Sequence, residues 1–333
     1  MASTTVEPNV RRPSLSLRDN DWVSFGLRRL GRFVVSMWVL ITAAFLMIHL
    51  VPGDPVRAAM GMNAPVDLVN DRREALGLND PLLSQYWEYI TGLFSGDLGT
   101  ALMTTEPVSQ VITDRLPATV QLAVLAFLLV VLVALPIGVT MAVLTRGGRR
   151  RGSELAFAST SVIIAAIPEF LLAVGLVYLF AVNMAWFPVA GNEEPASFVL
   201  PVVALAAGPA AVLARIVRVE TLSVLGNDFI RTARAKRLAP RLIYTRHALP
   251  NALTATLTIA GLLLTSMVAG TVLVENIFAW PGLGTMIVDS ILQKDYPLVQ
   301  GIVLVYGAGV LIVNLVVDIL LGVLDPRSTI REA

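Results

Sequence analysis

Six long apolar runs constrain this chain more than any other feature, because each is close to the length a helix needs to cross a bilayer. The runs are approximately Phe33–Val51, Pro117–Leu144, Leu155–Val182, Phe198–Val219, Ala252–Val274 and Val299–Leu324. A spanning helix takes about 20 apolar residues, so the runs predict six transmembrane helices, the longer ones tilted, kinked or partly outside the membrane. Composition agrees: the chain is 56% hydrophobic and 15% charged, against about 25% charged for a soluble domain. The expected fold class is an all-α membrane protein. Pro136, Pro168, Pro201 and Pro209 fall in or near the runs, where a missing backbone donor favours a kink.

The basic residues orient these helices. If the N-terminus is cytoplasmic, 20 of the 25 Lys and Arg residues lie inside. They occur before the first run, at Arg146 and Arg149–Arg151, between Arg215 and Arg246, and at Arg327 and Arg331. Arg57, Arg72, Arg73, Arg115 and Lys294 are left outside. The positive-inside rule then places both termini in the cytoplasm. The polar N-terminus does not have the form of a cleavable signal, and the first run reads as a retained anchor. The chain divides into a cytoplasmic tail (1–32), a first helix with an extracytoplasmic region (33–116), a five-helix core (117–325) and a C-terminal tail (326–333).

Several function classes are excluded early. There is no cysteine, hence no disulfide framework or thiolate metal site. No Gly-Lys pair occurs, so the phosphate-cradling loop of an ATPase is absent, and any ATP used must be hydrolysed by another chain. His49 and His247 are single rings without metal-ligand company, and no nucleophile–base arrangement suggests a catalytic residue. Nothing points to a nucleic-acid partner. The lipid bilayer is the surrounding that the composition demands.

Within the core, residues 220–251 form a basic cytoplasmic loop. Asn227 is placed to cap a helix, because its side chain can accept from free backbone donors of a first turn. Leu222, Leu225, Phe229, Ala233 and Lys236 recur three or four apart and predict one mostly apolar stripe. Pro240 stops this helix and is suited to open the next, over Arg241–Leu249.

This loop resembles the EAA loop of membrane permeases from ATP-binding-cassette importers. That pattern is Glu-Ala-Ala, three residues, Gly, nine residues, then Ile-x-Leu-Pro. Here Arg231-Thr232-Ala233 fills the first positions, Arg237 stands in place of the glycine, and His247-Ala248-Leu249-Pro250 closes the pattern at the same spacing. The string Arg231-Thr-Ala-Arg-Ala-Lys-Arg-Leu238 is similar to that of the dipeptide/oligopeptide/nickel branch, with Arg237 as the departure. Glycine has backbone freedom that arginine lacks, so the turn is where the chain leaves the family pattern.

Further matches extend the resemblance over nearly the whole chain. They include His49-Leu-Val-Pro-Gly-Asp-Pro-Val56, Leu76-Gly-Leu-Asn-Asp-Pro-Leu-Leu83, Gly96-Asp-Leu-Gly99, Arg115-Leu-Pro-Ala-Thr119, Pro281-Gly-Leu-Gly284, Asp295-Tyr-Pro297 and Asp325-Pro-Arg327.

The resemblance implies a type I importer permease fold in the cytoplasmic (inner) membrane of a prokaryote. It implies a second permease, two ATP-binding-cassette ATPase subunits or domains that bind the ATP and Mg, and an extracytoplasmic solute-binding protein. Di- or oligopeptides are the expected solutes, with nickel, glutathione or haem-like solutes as alternatives within the same class. An ATP-independent secondary transporter is the rival from another class, but the chain shows none of the repeats common there. The implied ATPase-coupling residues are Asn227, Phe229, Arg231, Thr232, Ala233, Arg234, Arg237, Arg241, Leu249 and Pro250, with Phe229 and Ala233 expected in the ATPase groove.

Two other regions are singled out. Glu169 lies within the third apolar run, where a charge costs on the order of 3 kcal/mol, so it faces the translocation path or sits at a helix break satisfied by backbone donors or water. The outer segment Pro52–Leu116 predicts an amphipathic helix around Val66–Leu76, whose Asp67, Arg72, Arg73, Glu74 and Leu76 are candidates for docking the solute-binding protein. Asn314 and Asp318, one turn apart in the sixth run, read as a polar patch joining helices.

Overall fold

A computed structural model describes residues 19–50, 55–61, 64–75 and 77–324. Leu76, the first 18 residues, Pro52–Asp54 and the Asp325-Pro-Arg327 motif lie outside the described residues. In chain order the helices are α1 (Asp19–Leu50), α2 (Pro55–Met60), α3 (Val66–Ala75), α4 (Leu82–Ser95), α5 (Val108–Thr145), α6 (Arg151–Ala166) and α7 (Glu169–Leu176). There follow α8 (Val199–Leu225), α9 (Asp228–Ala235), α10 (Pro240–Leu242), α11 (Leu249–Ile277), α12 (Leu283–Gln293) and α13 (Tyr296–Leu324). Two π-helical segments continue α7 over Val177–Asn183 and α10 over Ile243–Ala248. There is no strand among the described residues.

Five of these segments are long and apolar enough to cross a membrane: Val23–Leu50, Val108–Gly148, Pro195–Leu225, Thr256–Ile277 and Tyr296–Val323. The third expected span differs. It is a pair, Arg151–Ala166 and Glu169–Asn183, bent by 93°. Pro168 sits at the break and removes a backbone donor, while Ile167 before it is pushed into extended backbone (φ −73°, ψ 120°). Six spans therefore stand when the bent pair is taken as one. Pro136 and Pro209, by contrast, are accommodated inside continuous helices.

The core is built on α8, which packs against α5, α6, α7 and α11. Lipid offers little hydrophobic drive between helices, so close approach of small residues takes its place. Ala204, Ala206, Ala210, Ala211 and Ala214 of α8 are all buried. Gly138 of α5 lies so near that a Cβ there would fall 2.6 Å from both the Ala214 carbonyl and Val217 Cβ.

Polar pairs fasten the periphery. Arg29 of α1 forms an ion pair of 2.8 Å with Asp318 of α13, and Thr265 of α11 donates to Asn314 Oδ1 at 2.9 Å. Asn314 and Asp318 thus join α13 to two different neighbours.

Candidate functional site

The basic loop folds as a small body attached to two spans. α8 ends at Leu225, and Asn227 turns the chain with extended backbone (φ −69°, ψ 153°). The Asn227 carbonyl accepts from the Ile230 and Arg231 N–H groups at 3.1 and 3.3 Å. Its side chain makes no capping bond, contrary to the sequence expectation; the backbone carbonyl alone starts the helix.

The predicted stripe also changes. Ile230 and Ala233 face inward and pack with Val224, Leu225, Ile243, Ala248 and Ala252. Phe229, 43% exposed, and Lys236 face outward. A single stripe from Leu222 to Lys236 requires one continuous helix, and the break after Leu225 resets the rotation. Ala233, 6% exposed, is covered by the chain's own residues and is not free to enter a partner's groove.

The turn after α9 accounts for the departure at Arg237. Its φ is 56°, the left-handed conformation for which glycine is the usual choice. The Leu238 N–H reaches the Ala233 carbonyl at 3.3 Å and the Arg237 N–H reaches the Arg234 carbonyl at 2.8 Å. These are the two bonds of a Schellman motif, and Leu238 adds the apolar contact that accompanies it by packing on the buried cluster. The turn keeps the geometry a glycine would give, at a cost of roughly 1–2 kcal/mol for placing a side chain there.

The second helix is not the regular one expected over Arg241–Leu249. It is one turn, α10, followed by the π-helical segment, whose wider winding brings Ile243 and Ala248, five residues apart, into the same buried cluster. Leu249 and Pro250 begin α11, where proline is tolerated in the first turn.

The outward face carries Phe229, Arg231, Thr232, Lys236, Arg237 and Arg241. Arg231 pairs with Asp228 at 3.2 Å, a solvated contact of little energetic weight. Arg234 is half-buried, and one of its terminal nitrogens is enclosed without an acceptor. The surface is basic, carries one large exposed ring, and rests on an apolar underside.

Behind it, a polar cluster joins the neighbouring helix ends. Arg218 of α8 contacts Glu154 of α6 at 2.5 Å and donates to Thr145 Oγ1 at 3.0 and 3.2 Å. Arg146 donates to the Leu225 carbonyl at 3.2 Å. The loop, through Leu225, and the ends of α5, α6 and α8 are thereby mechanically linked.

At the opposite end of the core, the segment from Glu275 to Gly284 closes a second buried assembly. The fully buried Glu275 accepts from the Gly284 N–H at 2.6 Å, and Leu283 N–H donates to Thr119 Oγ1 at 2.8 Å. Trp280 donates to the Ala118 carbonyl at 3.1 Å and stacks edge-on against Phe198. A Cβ on Gly282 or Gly284 would collide with the Glu275 carboxylate, which explains why glycines flank Leu283. Neither α12 nor this latch is anticipated by the apolar periodicity of the sequence. An acidic residue ending an apolar run, shortly before a Gly-x-Gly, was the available signal.

The remaining candidates are dispersed. Glu169 begins α7 at the break and lies over Gly270 of α11, where a Cβ would come within 2.7 Å of its carboxylate oxygens. Asp67 and Glu74 are exposed on α3, and Glu74 borders a cavity of about 640 Å³ between α1, α4 and the start of α13. Arg73 is partly buried and has an interaction partner, and Arg72 lies on the same helix. α3 buries only Val69 among its described apolar side chains, so it is weakly amphipathic. No group of three His, Asp or Glu side chains able to hold a metal occurs among the described residues.

Comparison with known proteins converges on one assignment. Residues 134–330 match the binding-protein-dependent transport system inner membrane component family, and residues 22–123 match the N-terminal region of such membrane components. A glutathione transport system permease protein GsiC of Pectobacterium atrosepticum is 35% identical over 305 residues, covering 91% of this chain and 98% of that protein. A putative peptide transport system permease protein of Brucella suis biovar 1 is 37% identical over 309 residues, covering 90% and 97%. Among solved structures, a chain of the MetNI methionine ABC transporter in an inward-facing conformation superposes with a TM-score of 0.52 at 19% identity, over 65% of this chain and 96% of that one. That similarity extends to the fold.

Proposed function

The chain belongs to the family of binding-protein-dependent transport system inner membrane components, and on that premise we propose that it is one of two permease subunits of an ATP-driven importer for di- or oligopeptides. The observation that carries this reading is the loop at 227–250. Its underside, Ile230, Ala233, Ile243 and Ala248, is locked to the ends of α8 and α11, while Phe229 and the arginines around it face outward. Such a knob transmits force: a partner that moves it must move the spans.

In this reading two ATPase subunits bind ATP and Mg and grip the Phe229 face, and the chain itself carries no catalytic residue. Arg231, Arg234 and Arg241 meet carboxylates of the partner. The exposure of Arg231 and Arg241 supports this, whereas one terminal nitrogen of Arg234 lies beneath the chain's own atoms. Closure of the ATPases carries the loop, the Arg218 cluster passes the displacement to α5 and α6, and the cavity between the two permeases alternates between two states biased by ATP. Both termini face the cytoplasm of a bacterial cell, and a solute-binding protein delivers cargo from the other side, with Asp67, Arg73 and Glu74 of α3 at its docking surface. Glu169, beside α11, lines the path.

Peptides are the first choice of solute; glutathione, itself a tripeptide, is the second, favoured by relatives named for its transport. The test is uptake into proteoliposomes holding the assembled importer, with labelled dipeptide, oligopeptide and glutathione. Accumulation that requires ATP and the solute-binding protein supports the reading. Accumulation without ATP refutes it.

A further inference from the structure

Helix α4 divides its surface three ways. Tyr86 and Tyr89 turn to α1: the Tyr86 hydroxyl lies 2.7 Å from Thr42 Oγ1, and both rings pack on Phe45 with centroids 5.1 and 5.8 Å away. Ser84, Glu88, Thr91 and Ser95, three or four apart, form a polar face, and Glu88 borders the cavity described above. The third face is Leu83, Trp87 and Phe94, which are 81%, 67% and 90% exposed. At 100° per residue these three fall within about 40° of one another.

Three large apolar side chains at this exposure would be costly in water, and their depth identifies what covers them. α4 crosses α1 at Phe45. With a rise of about 1.5 Å per residue, Phe45 lies roughly 5 Å beyond the midpoint of α1 counted from Phe33, or roughly 13 Å counted from Val23. Both values fall inside the half-thickness of about 15 Å of the hydrocarbon layer. On α1 itself, the exposed side chains Val35, Val39, Leu46 and Leu50 run immediately beside the Thr42–Phe45–His49 stripe that meets α4. The apolar face of α4 is thus continuous with the lipid-facing side of a span.

We propose that α4 is embedded in the outer leaflet of the bilayer, with acyl chains as the partner of Leu83, Trp87 and Phe94 and with its polar face toward the aqueous cavity. It is an interfacial amphipathic helix fastened laterally to a span. The inference does not rest on the transport reading; it needs a membrane-inserted chain, and the choice of the outer leaflet rests on the cytoplasmic N-terminus that the basic residues imply.

The natural absence of cysteine makes the test direct. Nitroxide labels are placed singly at L83C, W87C, F94C and, on the polar face, E88C in the full chain in liposomes. Collision with oxygen, which concentrates in lipid, is compared with collision with a water-soluble nickel chelate. The expected result is oxygen-dominated relaxation at 83, 87 and 94 and nickel-dominated relaxation at 88. Nickel access at 87 and 94 equal to that at 88 would overturn the proposal by placing the face in water. Protection from both reagents would also overturn it, by placing the face under protein. Four positions on one helix keep the pattern readable if one variant fails to insert.

Discussion

The Arg218 guanidinium of α8 lies 2.5 Å from the Glu154 carboxylate of α6 and also holds Thr145 at the end of α5. One side chain therefore ties three helix ends directly above the loop that faces the cytoplasm in the proposed orientation. Removing it leaves two polar partners unsatisfied, a loss of about 1–3 kcal/mol. R218A should lower the melting temperature and reduce solute transported per ATP hydrolysed, and E154Q should do so more weakly because its amide still accepts. An unchanged ratio of uptake to hydrolysis in R218A would remove this cluster from the coupling route.

Ala233 and Phe229 are neighbours on α9 with opposite exposures, and their variants should separate folding from gripping. A233D buries an unpaired carboxylate against Leu225, Ile230 and Ile243, at a cost on the order of 3 kcal/mol or more. Proteolysis within 227–250 should accelerate in that variant. F229D leaves the underside intact, so proteolysis should match the parent while ATPase association is lost. Equal proteolysis in both variants would contradict the inward position of Ala233.

Arg237 holds a left-handed conformation (φ 56°) at the second bond of the Schellman turn. R237G relieves about 1 kcal/mol of strain, partly offset by the greater freedom of glycine in the unfolded chain. The expected melting temperature is equal to or slightly above the parent. R237P should abolish the turn, since proline cannot adopt positive φ and has no N–H to give to Arg234. A clear loss of stability in R237G would mean that the guanidinium itself supports the loop.

Glu275 and Gly284 close the second buried assembly through one short hydrogen bond of 2.6 Å. E275A strands a buried N–H at about 1–3 kcal/mol, whereas E275Q retains an acceptor at the same place. G284A forces a Cβ to within 2.6 Å of Val272 Cα. Limited proteolysis should therefore cut near 279–284 in E275A and G284A, but not in E275Q. Cleavage of E275Q at the rate of E275A would show that the charge, rather than the hydrogen bond, secures the latch.

Much of this architecture is legible in the residues. Continuous apolar runs mark spans because lipid leaves no other way to satisfy a backbone, and the spacing from Arg231 to Pro250 locates the loop. What escapes is anything set by a change of direction. The stripe through Leu222, Phe229 and Lys236 assumes an unbroken helix, yet Gly226 and Asn227 turn the chain and hand the buried positions to Ile230 and Ala233. Pro168 signals only a kink, and the full 93° bend depends on how α7 packs against α8 and α11. Helix α12 is hidden because its 11 residues are too short for a span and its start is fixed by a tertiary bond from Gly284 to Glu275. Tertiary contacts that glycine permits leave no periodic signal.

In the proposed importer, the exposed face of α9 is where an ATPase holds this permease. In a chain free of native cysteine, F229C can carry a thiol-attached photo-crosslinker in native membranes, with L83C on α4 as the comparison site. Illumination should join the label at position 229 to an ATP-binding-cassette subunit identified by mass spectrometry, with a yield that changes on adding ATP, and should give no such product from position 83. If F229C membranes retain ATP-driven uptake while position 229 yields only lipid adducts or none, the face is not gripped and the account is contradicted.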